Sequence, residues 1–306
     1  MVTFVDGPVR VSVPATSANL GPGFDSLGLA LSLRDELEAE VAGSGLEVEV
    51  AGFGADDVAR DESHLVVRAM RAALAAMDAA PPGLRLSCTN VIPHARGLGS
   101  SSAAIVAGVC LARGLVAGGA LLMDDDAVFR LAARLEGHPD NVAPALYGGF
   151  LISGRDDDSF WAVRSAVDPR VGAVVFVPPT PVSTELARGL LPGEVPHGDA
   201  AANSGRTALL VAALAGQPEH LHRATRDYLH QEYRRAAMPE SLAFVDALRA
   251  DGVAAIISGA GPTVLAFSSG PDPDPAVGEA GKLLARCPEG WRAHHLPVDR
   301  EGARLT

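Results

Sequence analysis

The run Gly97, Leu98, Gly99, Ser100, Ser101, Ser102, followed at once by Ala103, Ala104, Ile105 and Val106, sharply limits what this chain can build. Two glycines separated by one residue permit backbone conformations and close approaches that side chains forbid. The small apolar residues that follow suit the start of a buried helix, which places the serines at its N-terminus. Unpaired amides and the helix dipole favour an anion there, and serine hydroxyls add donors or a ligand for a magnesium ion bridging phosphates. Pro93 to Ala104 therefore reads as a phosphate-binding loop leading into a helix. It is not a Walker loop, because the required lysine is absent, nor a dinucleotide fingerprint, because Ser102 stands where the third glycine belongs.

The flanking sequence alternates strand and helix patterns. Val9 to Val13, Leu46 to Ala51 and Leu84 to Thr89 alternate as strands, and His64 to Met77 carries apolar residues at helical spacing. Asp124 to Leu135 opens with acidic residues suited to a helix N-terminus and stops at Gly137. Further helix starts fall at Asp140 and over Thr184 to Leu191, Ser204 to Leu214, Pro218 to Tyr233 and Pro239 to Ala250. Strands are expected over Phe150 to Ile152, Ala173 to Val177, Ala254 to Ile257 and Thr263 to Phe267, with a hairpin tip at Gly154 to Ser159. Leu191 to Gly198 and Ser268 to Pro275 read as surface loops. A domain boundary is expected near Ala166 to Arg170, dividing the chain into 1–167 and 168–306.

With 306 residues, of which 48% are hydrophobic, the chain can bury a substantial core. Its 25 Lys and Arg against 37 Asp and Glu give a net charge of −12, a field that repels nucleic acid and anionic membranes, so an anionic ligand must be held locally. Cys88, Cys110 and Cys287 lack metal-ligand spacing and read as reduced thiols of a cytoplasmic protein. Ala103 to Met123 is broken by Arg113 and four glycines, and so reads as a buried helix and loop rather than a membrane span. The N-terminus has no pattern of a secretory leader.

Two more segments combine glycine with small polar residues. Pro14 to Asp25 brings Asn19 and Asp25 to one turn after a strand, and Ser258 to Thr263 holds Gly259 and Gly261 between two apolar strands. Between them, Glu136, His138, Asp140 and Asn141 crowd into six residues, too many polar groups for packing alone. Glu136 reads as a hard carboxylate partner for magnesium on a nucleotide. The acidic triplets Asp124 to Asp126 and Asp156 to Asp158 face solvent in this reading.

Pro14 to Leu29 (PATSANLGPGFDSLGL), Pro93 to Ala104 (PHARGLGSSSAA), Leu135 to Gly149 (LEGHPDNVAPALYGG) and Ile257 to Thr263 (ISGAGPT) together resemble the homoserine kinases, a family of the GHMP small-molecule kinases. The phosphate loop alone points only to the larger group, and the opening motif with Asn19 and Asp25 is the more specific. The resemblance implies an α+β fold of two domains: an N-terminal one like domain 2 of ribosomal protein S5 and a ferredoxin-like C-terminal one, in a homodimer. It also implies magnesium-dependent transfer of the ATP γ-phosphoryl group to the side-chain hydroxyl of L-homoserine, a step toward threonine, with no nucleic-acid or membrane partner. ATP is then held by Pro93, His94, Ala95, Arg96, Gly97, Leu98, Gly99, Ser100, Ser101, Ser102 and Ala103 with Gly259 and Gly261, and the metal by Ser101 and Glu136. Substrate contacts map onto Asn19, Asp25, His138, Asp140, Arg188 and Arg234, with Arg235 the alternative to its neighbour. Asn19, Asp140, Asn141 and Thr184 are the catalytic candidates, and Asp140 is placed to accept or guide the hydroxyl proton. His64 stands near the adenine, where many relatives carry asparagine.

Overall fold

The computed structural model describes residues 2–157, 159–269 and 278–305. In chain order its strands are β1 (Val9–Ala18), β2 (Leu27–Ala42), β3 (Gly45–Gly52), β4 (Gly83–Asn90), β5 (Phe150–Asp156), β6 (Ser159–Ser165), β7 (Val171–Val177), β8 (Ala255–Ile257), β9 (Val264–Ser269), β10 (Arg292–Pro297) and β11 (Arg304–Leu305). Its helices are α1 (Leu65–Ala76), α2 (Ser100–Leu115), α3 (Gly119–Leu122), α4 (Asp125–Glu136), α5 (Val142–Tyr147), α6 (Thr184–Gly189), α7 (His197–Gly216), α8 (Leu221–Ala224), α9 (Pro239–Ala250) and α10 (Glu279–Leu284).

The larger sheet runs β11-β1-β2-β4-β3, with β5 and β6 extending from the first part of β2. Every pairing in it is antiparallel except β3 with β4. Its organising strand is β2, whose 16 residues serve two neighbours on one edge: Leu27 to Leu29 pair with β5 and Glu36 to Ala42 with β4. This strand was not expected. Its first half is apolar without alternation and buried, which has no period to read, while its second half turns Leu37 and Ala39 inward between Glu36, Glu38 and Glu40. Helix α2 is buried around most of its circumference and packs against α1, β1, α4 and α5, as an evenly apolar helix must.

The second sheet, β10-β7-β9-β8, is antiparallel throughout, and α9 and α10 pack against it. Strand β7 joins the two cores by its period of two: Val171, Ala173 and Val175 enter the larger one, and Val174 and Phe176 enter the cluster beneath α9. This two-part α+β architecture is the expected one. The anticipated boundary falls between β6 and β7, yet the end of the chain returns to the first sheet, where β11 pairs with β1 and Asp299 pairs with Arg34.

Other expectations need correction. Pro218 to Tyr233 is not one helix, since α8 covers only four residues between a 3-10 turn at Pro218–His220 and another at Glu232–Ala237. The Asp227 carboxylate accepts the amides of Leu229, His230 and Gln231, offering the backbone a turn in place of helical bonds. Helix α7 starts at His197, inside the anticipated loop Leu191 to Gly198, and α5 starts at Val142 rather than Asp140. Strands β6 and β10 and helix α10 were not expected. In the anticipated hairpin tip only Asp157 remains between strands among described residues; Asp158 lies outside them, as does most of the expected loop Ser268 to Pro275. The three cysteines are free, Cys88 and Cys110 buried, and Asp124 caps α4 through the amide of Ala127.

Candidate active site

The phosphate loop is pinned from three sides by backbone bonds. Thr16 N–H donates to the Leu98 carbonyl (3.0 Å), Thr263 N–H to that of Arg96 (3.3 Å) and Val182 N–H to that of Ala95 (3.2 Å), while Ser258 Oγ donates to the Gly97 carbonyl (2.6 Å). Gly97 and Gly99 both adopt positive φ. A Cβ on Gly97 would sit 2.2 Å from the Ser258 carbonyl oxygen, and one on Gly99 1.9 Å from Thr16 Oγ1, so both positions require glycine. Gly99 is also the N-cap of α2 and has no side chain to satisfy the helix. The amides of Ser100, Ser101 and Ser102 begin the helix and are therefore left for a ligand.

Two cavities meet at this helix start and share Ser100 and Ser101. The first, of about 310 Å³, brings together Asn19 from the opening turn, Arg96, Gly97 and Gly99 from the loop, and Glu136, His138, Asp140 and Asn141 from the segment after α4. Thr184 and Arg188 of α6, with Arg234 and Gly259, close its other side. The second cavity, of about 370 Å³, is lined by Asp35, His64, Leu65, Val66, Cys88, Asn90, His94 and Ala104. Of the candidates, Asp25, Pro93, Leu98, Ser102, Ala103 and Gly261 line neither cavity: Leu98, Ser102 and Ala103 are buried beneath the loop, Gly261 packs on Met238, and Pro93 borders a separate cleft.

Glu136 sits at the C-terminal end of α4, and one of its oxygens, Oε1, accepts both Ser101 Oγ (2.6 Å) and Ser102 Oγ (2.7 Å). Asp140 is buried beside it, with Oδ1 2.9 Å from His138 Nδ1. Burial is the largest influence on His138 and lowers its pKa, but the hydrogen bond to Asp140 and the charges of Asp140 and Glu136 outweigh it and hold the imidazole above its usual value. Asn141 Oδ1 accepts Thr16 Oγ1 at 2.7 Å.

Asp25 lies just outside the cavity lining and forms a two-pronged ion pair with Arg188, at 2.7 and 3.1 Å. That hydrogen-bonded pairing, before other effects, raises the Arg188 pKa. Asn19 stands between the segments, its Nδ2 donating to the Gly259 carbonyl (2.9 Å) and its Oδ1 accepting the Asp25 amide (3.0 Å). Arg234 is only 1% exposed, and burial followed by the charge of Arg188 pulls its pKa down to about 10. It donates through Nε to the Ala187 carbonyl (3.1 Å) and through Nη1 to the Gly259 carbonyl (3.3 Å), while Nη2 has no protein acceptor among the described residues. Arg235 points elsewhere, paired with Glu232 and Asp246, so that of the two neighbours only Arg234 lines this cavity. Phe24, in the opening motif but not among the expected site residues, has its ring 5.6 Å from the guanidinium carbons of both Arg188 and Arg234.

In the second cavity, His64 is 7% exposed and its Nδ1 has no hydrogen-bond partner. Burial, then the charge of neighbouring His94, lowers its pKa, so a neutral imidazole is presented. Asp35, which also lines this cavity, carries no sequence signal, because it lies in the unexpected strand β2.

A glycine-rich anion site at the start of α2, an acidic pocket and a pair of guanidinium groups define a small-molecule phosphotransferase. Residues 64–149 match the GHMP kinases N terminal domain and residues 209–285 the GHMP kinases C terminal family, so the chain belongs to the GHMP kinases. Within that group it belongs to the homoserine kinases. It is 53% identical over 297 residues to the homoserine kinase of Streptomyces coelicolor, covering 97% of this chain and 94% of the relative. It is 54% identical to that of Streptomyces avermitilis, covering 97% and 95%. The crystal structure of homoserine kinase from Cytophaga hutchinsonii superposes with a TM-score of 0.82 at 27% identity, over 98% of this chain and 97% of the other.

Proposed function

We propose that this protein phosphorylates the side-chain hydroxyl of L-homoserine with ATP, giving O-phospho-L-homoserine for threonine synthesis. The observation that carries this reading is the convergence, in one cavity, of the α2 N-terminus, the Asp140 carboxylate and the guanidinium groups of Arg188 and Arg234. A small zwitterionic alcohol has partners for its groups in and beside that cavity. Its carboxylate is matched by Arg188 and Arg234, its ammonium by the Asn19 amide oxygen with Asp25 just outside the lining, and its hydroxyl by Asp140, Asn141 and Thr184. His138 steadies Asp140.

The cavity beyond Ser100 and Ser101 is the place for the nucleotide base, with His64 facing it, so that the triphosphate crosses the loop toward the acceptor. Amides of the α2 N-terminus and the adjacent hydroxyls neutralise phosphate charge, while the substrate clamp sets the acceptor oxygen in line. That oxygen attacks the γ-phosphorus, its proton passes to an Asp140 oxygen, and the bond to the β-phosphate oxygen breaks to release ADP. Ser101 and Glu136 offer hard oxygen donors beside the phosphate site and fit a magnesium ion, which is commonly held by one or two carboxylates together with substrate phosphates. Such an ion supplies charge neutralisation on the phosphates. Family membership also supports a homodimer in the cytoplasm, testable by sedimentation equilibrium; no described helix is long and apolar enough to cross a membrane.

A coupled ADP-release assay across homoserine, mevalonate and shikimate tests the reading, with turnover expected for homoserine alone. Asp140→Asn should lower kcat by about 10²–10⁴-fold if Asp140 takes the proton. Arg188→Ala should raise the homoserine KM by about 10- to 100-fold with a smaller effect on kcat. Glu136→Gln should abolish the magnesium dependence together with turnover, and a wild-type rate at any magnesium concentration defeats the metal assignment.

A further inference from the structure

We propose that His230 is a positioning residue for substrate recognition: its imidazole fixes the Arg234 guanidinium so that Nη2 is presented to the carboxylate of the amino-acid substrate. The inference rests on the reading of Arg234 given above. His230 is fully buried between the opening turn and the Arg234 segment. Arg234 Nη1 donates to His230 Nδ1 at 3.0 Å, so Nδ1 carries no proton, and the remaining ring proton, on Nε2, is donated to the Gly21 carbonyl at 2.7 Å. The two bonds set the tautomer of the ring and leave it no freedom to turn.

The surroundings reinforce this one orientation. Phe24 stacks on the imidazole at 5.2 Å with 30° between planes, and the same phenyl ring meets Arg188 and Arg234. Asp227 holds the His230 backbone through its amide and places Oδ1 3.7 Å from Nε2. Burial, offset in part by Asp227 and reinforced by Arg234, lowers the imidazole pKa, which preserves the acceptor lone pair that Arg234 needs. With Nε engaged by Ala187 and Nη1 by His230 and Gly259, only Nη2 remains for a ligand. A buried histidine thus makes a flexible arginine into a fixed donor, which reduces what substrate binding must spend on ordering it.

The test is steady-state kinetics of the full-length enzyme carrying His230→Asn, His230→Gln or His230→Leu, each alone and combined with Arg234→Met. Asparagine places its amide oxygen near the position of Nδ1 and keeps the acceptor for Arg234, whereas glutamine reaches the position of Nε2 and keeps only the Gly21 contact. The expected result is a homoserine KM raised about tenfold or more in the Gln and Leu variants, and within about threefold of wild type for Asn. ATP KM and kcat should stay within about threefold in all three, and in the Arg234→Met background changes at His230 should alter the homoserine KM by less than about threefold. Equal impairment by Asn and Gln, losses falling on kcat or ATP KM, or an undiminished effect beside Arg234→Met overturns the proposal. Should His230→Leu fail to fold, the Asn and Gln contrast decides alone. If Arg234→Met leaves the homoserine KM unchanged while wild type turns over homoserine, the assignment of Arg234 has failed; if it raises KM and His230→Gln does not, only the positioning role has.

Discussion

Asp35 shows how much of this site depends on a side chain whose neighbours are remote in sequence. It is buried at the edge of the second cavity, beside His64, where its Oδ1 accepts the amides of Val91 (2.7 Å) and Ile92 (2.9 Å). Burial outweighs those bonds and raises its pKa to about 6. The folded state therefore binds this proton more tightly than the unfolded chain, and the resulting stability is present below pH 4 and lost as pH rises through 6. Asp35→Asn keeps an oxygen acceptor for both amides and removes the ionisation. Its stability relative to wild type should rise by about 2–3 kcal/mol between pH 4 and pH 7, measured by urea denaturation at each pH. A constant difference across that range would show that Asp35 stays ionised in the fold. Sequence alone did not reach this residue, since a carboxylate among Arg34, Glu36 and Glu38 looks like solvated surface until β2 is known to pass beneath the loop at Val91. Asn19 and Asp140 were legible because each stands in a quoted motif, whereas Arg188 lies in none of them and came only with the family resemblance; that Arg234 faces the cavity and Arg235 does not required the packing of Phe24 and His230.

At the scale of elements, legibility followed the source of the information. Helices α1, α4 and α9 were read within a residue or two, because their apolar spacing and end residues are local properties. The segment Pro218 to Tyr233 was misread because the turn at Asp227 comes from a side chain competing with the helix for amides. The start of α2 is the element on which the proposed phosphate site rests, and Gly99 is its tightest constraint. Gly99→Ala places a methyl group against Thr16 Oγ1 and holds an L-residue at a φ of 71°. The left-handed backbone alone costs about 1–2 kcal/mol, and relieving the contact means moving either β1 or the loop. The expected outcome is a denaturation midpoint lowered by an amount matching that cost or more, with an ATP KM that rises more than the homoserine KM. Equal effects on both substrates would mean that the glycine serves the whole fold and not the anion site.

The molecule as a whole couples its two sheets more closely than the sequence indicated. A boundary near residue 168 suggests two units that fold separately, but β7 feeds one core with Val171, Ala173 and Val175 and the other with Val174 and Phe176. Leu210, Ala213, Leu214, Ile256 and Leu265 also belong to the larger core, although all come from the second half of the chain. The chain end adds Val298 bridged to Leu31, β11 paired with β1, and Arg34 bonded to Asp299, Ser12 and the Gly302 carbonyl. The candidate active-site cavity itself joins Asn19 and Asp140 from one half to Arg188 and Arg234 from the other. Neither half buries its apolar surface alone, so the full chain should unfold in one cooperative step, with calorimetric and van't Hoff enthalpies in agreement. The fragment 1–167 lacks the strand that covers β1 and two of the acceptors of Arg34, Asp299 and the Gly302 carbonyl, and should show no cooperative transition. Two resolved transitions in the full chain, or a cooperative transition in the fragment, would establish the halves as independent. The ion pair between Asp25 and Arg188 would then report docking of two preformed domains and not the folding of one structure.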